Sequence, residues 1–393
     1  MKTHSRAALA TGDSPIRKMF NLASRMNDVV SFTVGEPDFP TPEHIVNAAI
    51  RALQEGQTHY TQNAGILPLR QAIAETMERS HGLRYDPEQE VMATLGGMQA
   101  LMLLMLALVD PGDEVIISDP YWPNYVGQVK TCGGVPVLVK VREQDGFVFD
   151  PGQVRKAVTP RTRILLVNSP ANPTGGVAGR EVLRALAELA IEKDLVVVSD
   201  EVYRHFLYDG AEFVSIATFP GMQQRTFIVD SFSKTYAMTG WRVGWAAGPA
   251  EVIRDMVKLQ ENVAACVHTA TQYAAIEALR GSQEPLRRML AEYAQRRSLL
   301  LAEIAGIEGL SCVPPKGAFY ALVNITRTGL SSEAFATRLL TEKAVAVVPG
   351  TGFGEEGEGL VRVSYATSQE RIRQGFARIK AFVAGLKLSR ARA

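Results

Sequence analysis

Apolar and polar positions follow two rhythms through the middle of the chain. Short runs rich in β-branched residues, EVMATLGG, DEVIISDPYW, RILLVNSPANPTG, LVVVSDEVY and TFIVDSFSK, have the length and composition of buried strands. Between several of them lie longer amphipathic runs such as REVLRALAELAIEKD, with apolar residues at helical spacing. This alternation predicts an α/β unit with a mostly parallel central sheet flanked by helices. The most apolar run, GGMQALMLLMLALVD, is too short to span a bilayer and reads as a buried helix.

The pattern changes near Gly281, where ALRGSQEP breaks a helical run. Beyond it come a long helix (EPLRRMLAEYAQRRSLLLAEI), strand candidates (GAFYALVNI, AVAVVPG, LVRVSYAT) and a terminal helix (SQERIRQGFARIKAFVAGL). That order predicts a smaller α+β domain. The proline-rich SFTVGEPDFPTPEH, residues 31–44, is where the chain enters the large domain. The expected division is an N-terminal segment, 1–45, that joins the small domain, a large domain, 46–285, and a small C-terminal domain, 286–393. KLSRARA at the end reads as a frayed basic tail.

The strand ends are where chemistry gathers. They close in Gly96-Gly97, Asp119-Pro120-Tyr121-Trp122, Asn168 through Gly175, Ser199-Asp200-Glu201 and Ser231-Phe232-Ser233-Lys234. Open parallel sheets bind ligands beyond the carboxyl ends of their strands, so these ends predict one composite site.

Composition narrows the class. The 393 residues carry 42 Lys+Arg against 41 Asp+Glu, a formal net charge of +1, which gives no electrostatic case for a nucleic-acid or membrane partner. Cys132, Cys266 and Cys312 are odd in number and far apart, which argues against a disulfide framework or zinc ribbon and for a reducing compartment. MKTHSRAALATGDSP lacks the apolar core of a signal peptide, so a cytoplasmic, soluble protein is expected. There is no Walker A, HExxH or EF-hand motif, and no metal is expected.

Single motifs admit bland readings. Ser231 to Lys234 is formally S-x-x-K, as in penicillin-binding enzymes, but neither S-D-N nor K-T-G accompanies it, and it follows a strand rather than opening a buried helix. An exposed loop lysine is the plain alternative. A Schiff-base lysine is the third reading, because cationic or apolar neighbours lower an amine's pKa toward neutrality. Asp200 suits either a helix N-cap or a carboxylate that neutralises a buried cation. Asn172, in PANPTGG, alone marks a turn. Gly96-Gly97 suits a tight strand–helix turn or an anion site at a helix N-terminus.

Read together, Asn172-Pro173-Thr174-Gly175, Ser199-Asp200-Glu201-Val202-Tyr203, Ser231-Phe232-Ser233-Lys234 and Gly240-Trp241-Arg242-Val243-Gly244 resemble class I/II aminotransferases in order and spacing. These are pyridoxal-phosphate enzymes of fold type I, the aspartate aminotransferase superfamily, and the resemblance covers about residues 14–385. It implies a ping-pong exchange of an α-amino group between an amino acid and a 2-oxo acid. Lys234 would be the internal-aldimine lysine and carry the proton between the substrate Cα and the cofactor. Asp200 would keep the pyridine nitrogen protonated, making the ring an electron sink. Tyr203 and Asn172 would bond the ring's phenolic oxygen, and Trp122 would stack on the ring. Ser231, Arg242 and the amides of Gly97 and Met98 would hold the phosphate. Tyr60 would reach the phosphate of a partner subunit, which implies a homodimer with shared active sites. Arg362 would grip the substrate α-carboxylate, aided by Asn172 and the backbone at Gly35, since a planar fork suits a carboxylate. The bonds before Pro120 and Pro173 are expected to be cis by the same resemblance.

One departure bears on substrate. Bacterial aspartate-specific members commonly carry a lysine after the glycine pair, where this chain has Met98. A thioether is comfortable against apolar groups and cannot pair with a carboxylate. A neutral, aliphatic or aromatic amino donor is therefore expected, with pyruvate or 2-oxoglutarate as acceptor. A C–S β-lyase or another reaction on the same scaffold is the alternative, because fold does not fix which bond breaks. A ligand-sensing regulator would need an added DNA-binding module, and only the 30 residues before SFTVGEPDF are there to supply one.

Overall fold

The computed structural model describes residues 4–10, 19, 21–24, 26 and 28–386. The tail KLSRARA lies outside them, as does part of MKTHSRAALATGDSP. The first described strand is β1 (Val30–Ser31). The central sheet has seven strands: β2 (Val91–Thr94), β3 (Glu114–Asp119), β4 (Val135–Lys140), β5 (Thr162–Asn168), β6 (Val196–Asp200), β7 (Thr226–Ser231) and β8 (Gly244–Ala247). Their order is β2-β8-β7-β6-β5-β3-β4, and only β8 runs antiparallel to its neighbours.

The expected mostly parallel α/β architecture is present, with two strands beyond the five anticipated. β4 is a half-exposed edge strand interrupted by Pro136, a residue that demotes a run from strand to edge. β8, GWAA, is too short to register as an apolar run, with Trp245 its one large side chain. The helices Gly97–Leu108 and Arg180–Glu192 pack on the sheet through stripes such as Ala100, Leu101 and Leu104, and Leu183, Leu186 and Ala190. Burying a leucine there contributes about 1.5–3 kcal/mol each.

After the helices Thr269–Arg280 and Glu284–Ala305, which break at Gly281, a second sheet forms from β9 (Ser311–Cys312), β10 (Tyr320–Asn324), β12 (Val348–Pro349) and β13 (Leu360–Ser364). Its order is β12-β13-β10-β9, all antiparallel. β11 (Val345–Ala346) pairs in parallel with β1. Val30 and Phe32 join the core of this C-terminal part, where Phe32 meets Phe376 at 5.8 Å between ring centroids. From there residues 33–42 lead without helix or strand, bending at Glu36, Asp38 and Phe39, to the helix Glu43–Gln54, and Thr33 through Glu36 share a cavity lining with the carboxyl ends of the central strands. Among the described residues, no helix is long and apolar enough to cross a membrane.

The register brings the polar strand ends side by side. Asn168 lies opposite Asp200, and β7 ends at Ser231 beside them. The bonds before Pro120 and Pro173 are cis as expected, and the bond between Ser169 and Pro170 is cis as well.

Candidate active site

A cavity of about 640 Å³ opens over these strand ends. Gly35, Gly97, Met98, Trp122, Asn172, Asp200, Tyr203, Ser231, Lys234, Arg242 and Arg362 all line it, from positions more than 300 residues apart in sequence. Tyr60 does not. It stands 89% exposed on the loop before the helix Leu67–His81.

Lys234 sits in a single helical turn, Phe232–Thr235, that begins where β7 ends, so a helix does open here, but only four residues long. Its Nζ donates to Gly35 O at 2.6 Å. The Ser231 hydroxyl is engaged elsewhere, its one proton shared between Ser233 Oγ at 2.8 Å and Val243 O at 3.2 Å. Serine and lysine thus do not form the nucleophile–base pair that an S-x-x-K enzyme requires. Burial pushes the Lys234 amine down to about 8, Glu36 opposes the shift, and Arg242 and Arg362 add to it.

Asp200 closes β6 with its carboxylate buried. Tyr125 Oη donates to Asp200 Oδ2 at 2.6 Å and Val202 N to Oδ1 at 3.2 Å. Burial raises the carboxyl to about 6 despite these bonds, and Asp230 and Glu201 behind it add to the rise. No cation pairs with Asp200 among the described residues. No helix follows it, so the N-cap reading fails; the chain continues into turns instead. The Tyr203 and Tyr320 hydroxyls share a hydrogen bond of 2.8 Å, and burial holds the Tyr203 phenol neutral, well above its ordinary range.

Arg362, on β13, is 1% exposed. Its guanidinium lies between the rings of Tyr320 and Phe353, 4.6 and 4.8 Å from their centroids. Nη1 donates to Asn172 Oδ1 at 3.1 Å and Nη2 to Thr33 O at 2.6 Å, while Nε has no partner. Gly35 O therefore serves Lys234 here, and Thr33 is the backbone neighbour of the arginine. A stacked guanidinium with an unpartnered donor is suited to a carboxylate.

At the opposite end, Gly96 takes φ 84° at the start of the helix Gly97–Leu108, and a Cβ there would fall 2.8 Å from Arg242 Nη2. Gly244 is equally constrained, since a Cβ would lie 2.7 Å from Gly97 N. Free helix amides, the Ser231 and Ser233 hydroxyls and Arg242 converge on one small space, the donor set of a phosphate site. These residues fit pyridoxal phosphate: a phosphate cradle at one end, a buried carboxylate without a cation for a protonated ring nitrogen, and an amine of lowered pKa between them.

The sequence motifs point to the strand ends but assign no role to Tyr125, Tyr320, Phe353 or Ser233. Tyr125 and Tyr320 form long-range contacts that no local pattern carries. Ser233 lies inside the lysine motif, where its hydroxyl is a signal that the sequence does hold.

The sequence pattern of the family described as Aminotransferase class I and II matches residues 27–379. An aspartate aminotransferase of Pyrococcus abyssi is 44% identical over 378 residues, 96% of this chain and 97% of the relative. An aromatic-amino-acid aminotransferase of Thermococcus litoralis is 43% identical over 95% of this chain and 97% of the relative. The solved structure of the Thermus thermophilus aspartate aminotransferase with maleate superposes with a TM-score of 0.93 at 44% identity, covering 97% of this chain and 100% of that one. The chain belongs to the class I and II aminotransferases. It is a pyridoxal-phosphate-dependent transaminase of amino acids.

Proposed function

We propose that this aminotransferase acts on a neutral, aliphatic or aromatic amino acid, with pyruvate or 2-oxoglutarate as acceptor, in a cytoplasmic homodimer with shared active sites. The observation that carries the substrate class is the placement of charge in the cavity. Its lining cations are Lys234, Arg242 and Arg362, and by the family resemblance each would be committed, the first to proton transfer, the second to the phosphate and the third to the α-carboxylate. A second, distal carboxylate would meet Met98, Leu101 and Trp122, with Glu36 also on the lining. Relatives named for aspartate and for aromatic amino acids share this scaffold, so the side-chain end of the cavity decides between them.

Bound pyridoxal phosphate supplies an electron sink for the charge left when a proton leaves the substrate Cα. The chain's residues do the rest. Arg362 and Asn172 orient the substrate carboxylate, which fixes the Cα hydrogen relative to Lys234. Lys234 Nζ takes that proton and returns it on the far side of the exchange; an amine near 8 does both at neutral pH. Asp200 would hold a ring N–H of the bound cofactor, and Tyr203 and Asn172, which line the same cavity, would donate to its phenolic oxygen. Trp122, packed edge-on to Tyr125 at 5.2 Å, offers a ring face to the cavity.

Three scattered free cysteines favour a reducing compartment, and Tyr60, exposed and outside its own cavity, favours a partner subunit. The division into segments 1–45, 46–285 and 286–393 belongs to the same proposal; the break at Gly281 and the packing of Val30 and Phe32 on the C-terminal part support it. Steady-state kinetics across single amino donors tests the substrate class. Phenylalanine or leucine should exceed aspartate in kcat/KM, and an aspartate preference of roughly tenfold or more would overturn it.

A further inference from the structure

The loop between the helices Glu43–Gln54 and Leu67–His81 carries Tyr60 at its exposed tip. Surface loops ordinarily leave their backbone polar groups to water. Here side chains from the body of the protein take them up. Gln272, fully buried, accepts from Ile66 N at 2.7 Å through Oε1 and donates through Nε2 to Thr61 Oγ1 at 2.9 Å. Gln260, also fully buried, donates to Asn63 O and, at 3.1 Å, to Ala93 O. Its Oε1 has no partner, so the amide serves the loop and the adjoining strand alone. Thr269 Oγ1 donates to His59 O at 2.6 Å, and buried Arg70 donates to Gly65 O at 3.1 Å and Gln62 Oε1 at 2.7 Å.

The residues on both sides of Tyr60, His59 and Thr61, are therefore pinned from beneath. Burying two primary amides is unfavourable unless their hydrogen bonds are made; Gln272 Nε2 also donates to Val267 O at 2.8 Å, and the remaining bonds of the two amides, apart from that of Gln260 to Ala93 O, go to this one loop. Fixing a loop beforehand removes the ordering entropy that docking would otherwise cost. An aromatic held rigid at a protruding tip, with a phenol able to donate to a phosphate oxygen, suits insertion into another molecule's phosphate site. The phosphate-type donor set at Gly97, Ser231 and Arg242 is such a site, and every copy of this chain carries it.

We infer that Gln260 and Gln272 are positioning residues that hold Tyr60 of one copy of the chain for the phosphate end of the cavity in a second copy. The inference rests on the homodimer proposed above. It also predicts an effect in trans, which separates positioning from general structural support.

The test uses holoenzyme dimers assembled from differently tagged chains. A Lys234→Ala chain has an intact Tyr60 loop but no working site of its own. In the Gln272→Met homodimer, pyridoxal phosphate should dissociate roughly 10-fold faster or more, as for loss of one bond to a charged group. Paired with Lys234→Ala, the Gln272→Met chain should regain wild-type cofactor retention and kcat/KM at its one working site, because that site receives the intact loop. Gln260→Met should behave likewise. A Tyr60→Phe chain paired with Lys234→Ala is the control. If Tyr60→Phe is rescued in the mixed dimer and Gln272→Met is not, or if the Gln272→Met homodimer retains cofactor as the wild type does, the inference fails and the shared-site dimer stands. If Tyr60→Phe is impaired as a homodimer and is not rescued, the shared-site reading fails and the inference with it.

Discussion

The Tyr125 hydroxyl donates to Asp200 Oδ2 at 2.6 Å, a bond between a helix and a strand end 75 residues apart. It lowers the proton affinity of a carboxyl that burial otherwise raises. Tyr125→Phe should therefore push the Asp200 carboxyl above about 6, so that more of it is protonated, and neutral, at pH 7. A neutral carboxyl no longer holds a ring cation. We expect kcat at pH 7 to fall roughly 10-fold and the acid limb of the kcat–pH profile to move to higher pH, by the worth of a bond to a charged group. An unchanged acid limb would separate Tyr125 from Asp200.

Arg362→Lys keeps the charge and loses the fork. With Tyr320 and Phe353 stacked on the guanidinium, the substitution also removes two ring contacts. KM for donor and acceptor should rise together by roughly 30-fold or more, on the order of 2 kcal/mol or above, while the bound cofactor's visible band is retained. A rise for only one of the two substrates would contradict a shared carboxylate site.

The lysine gives a pH dependence with a definite sign. Only the neutral amine attacks a carbonyl, and Lys234 is cationic below about 8 rather than below its ordinary 10.5. The rate at which apo-protein captures pyridoxal phosphate should climb with pH to about 8 and level off above it. Stopped-flow absorbance would read this directly. A rate still climbing steeply between about pH 9 and 10 would mean an unperturbed lysine.

Met98 lines the cavity, with its backbone carbonyl accepting from Gln128 Nε2 at 2.9 Å, and in the proposed function its side chain meets the substrate side chain. Met98→Lys places a cation there. The ratio of kcat/KM for aspartate over phenylalanine should increase roughly 10-fold or more, the range of one ion pair in a partly desolvated site. No change in the ratio would remove Met98 from substrate choice.

How much of this is legible in the sequence alone differs by element. The strand ends at Asp200, Ser231 and Lys234 announce themselves because buried β-branched runs stop abruptly in functional groups, and the parallel architecture follows from the same runs. β4 and β8 do not, because an edge strand needs no continuous apolar run and GWAA is only four residues long, with Trp245 its one large side chain. Tyr125 lies on an ordinary amphipathic helix, Pro123–Thr131, and Tyr320 in an ordinary strand; their roles come from the partners they meet across the fold, Asp200 and Tyr203. Residue type and spacing specify local structure well, whereas a hydrogen bond between residues 117 positions apart is specified by the packing of everything between them.

The most direct test of the central claim, that Lys234, Asp200 and Arg362 form one transaminase site for neutral or aromatic amino acids, is the visible spectrum of the purified holoenzyme as single amino acids are added without an oxo acid. The cofactor band should convert to that of its amine form with phenylalanine or leucine, more slowly with aspartate, and not at all in Lys234→Ala. A band that persists with every amino acid while pyruvate and ammonia accumulate would contradict it, as would a Lys234→Ala protein that converts at the wild-type rate.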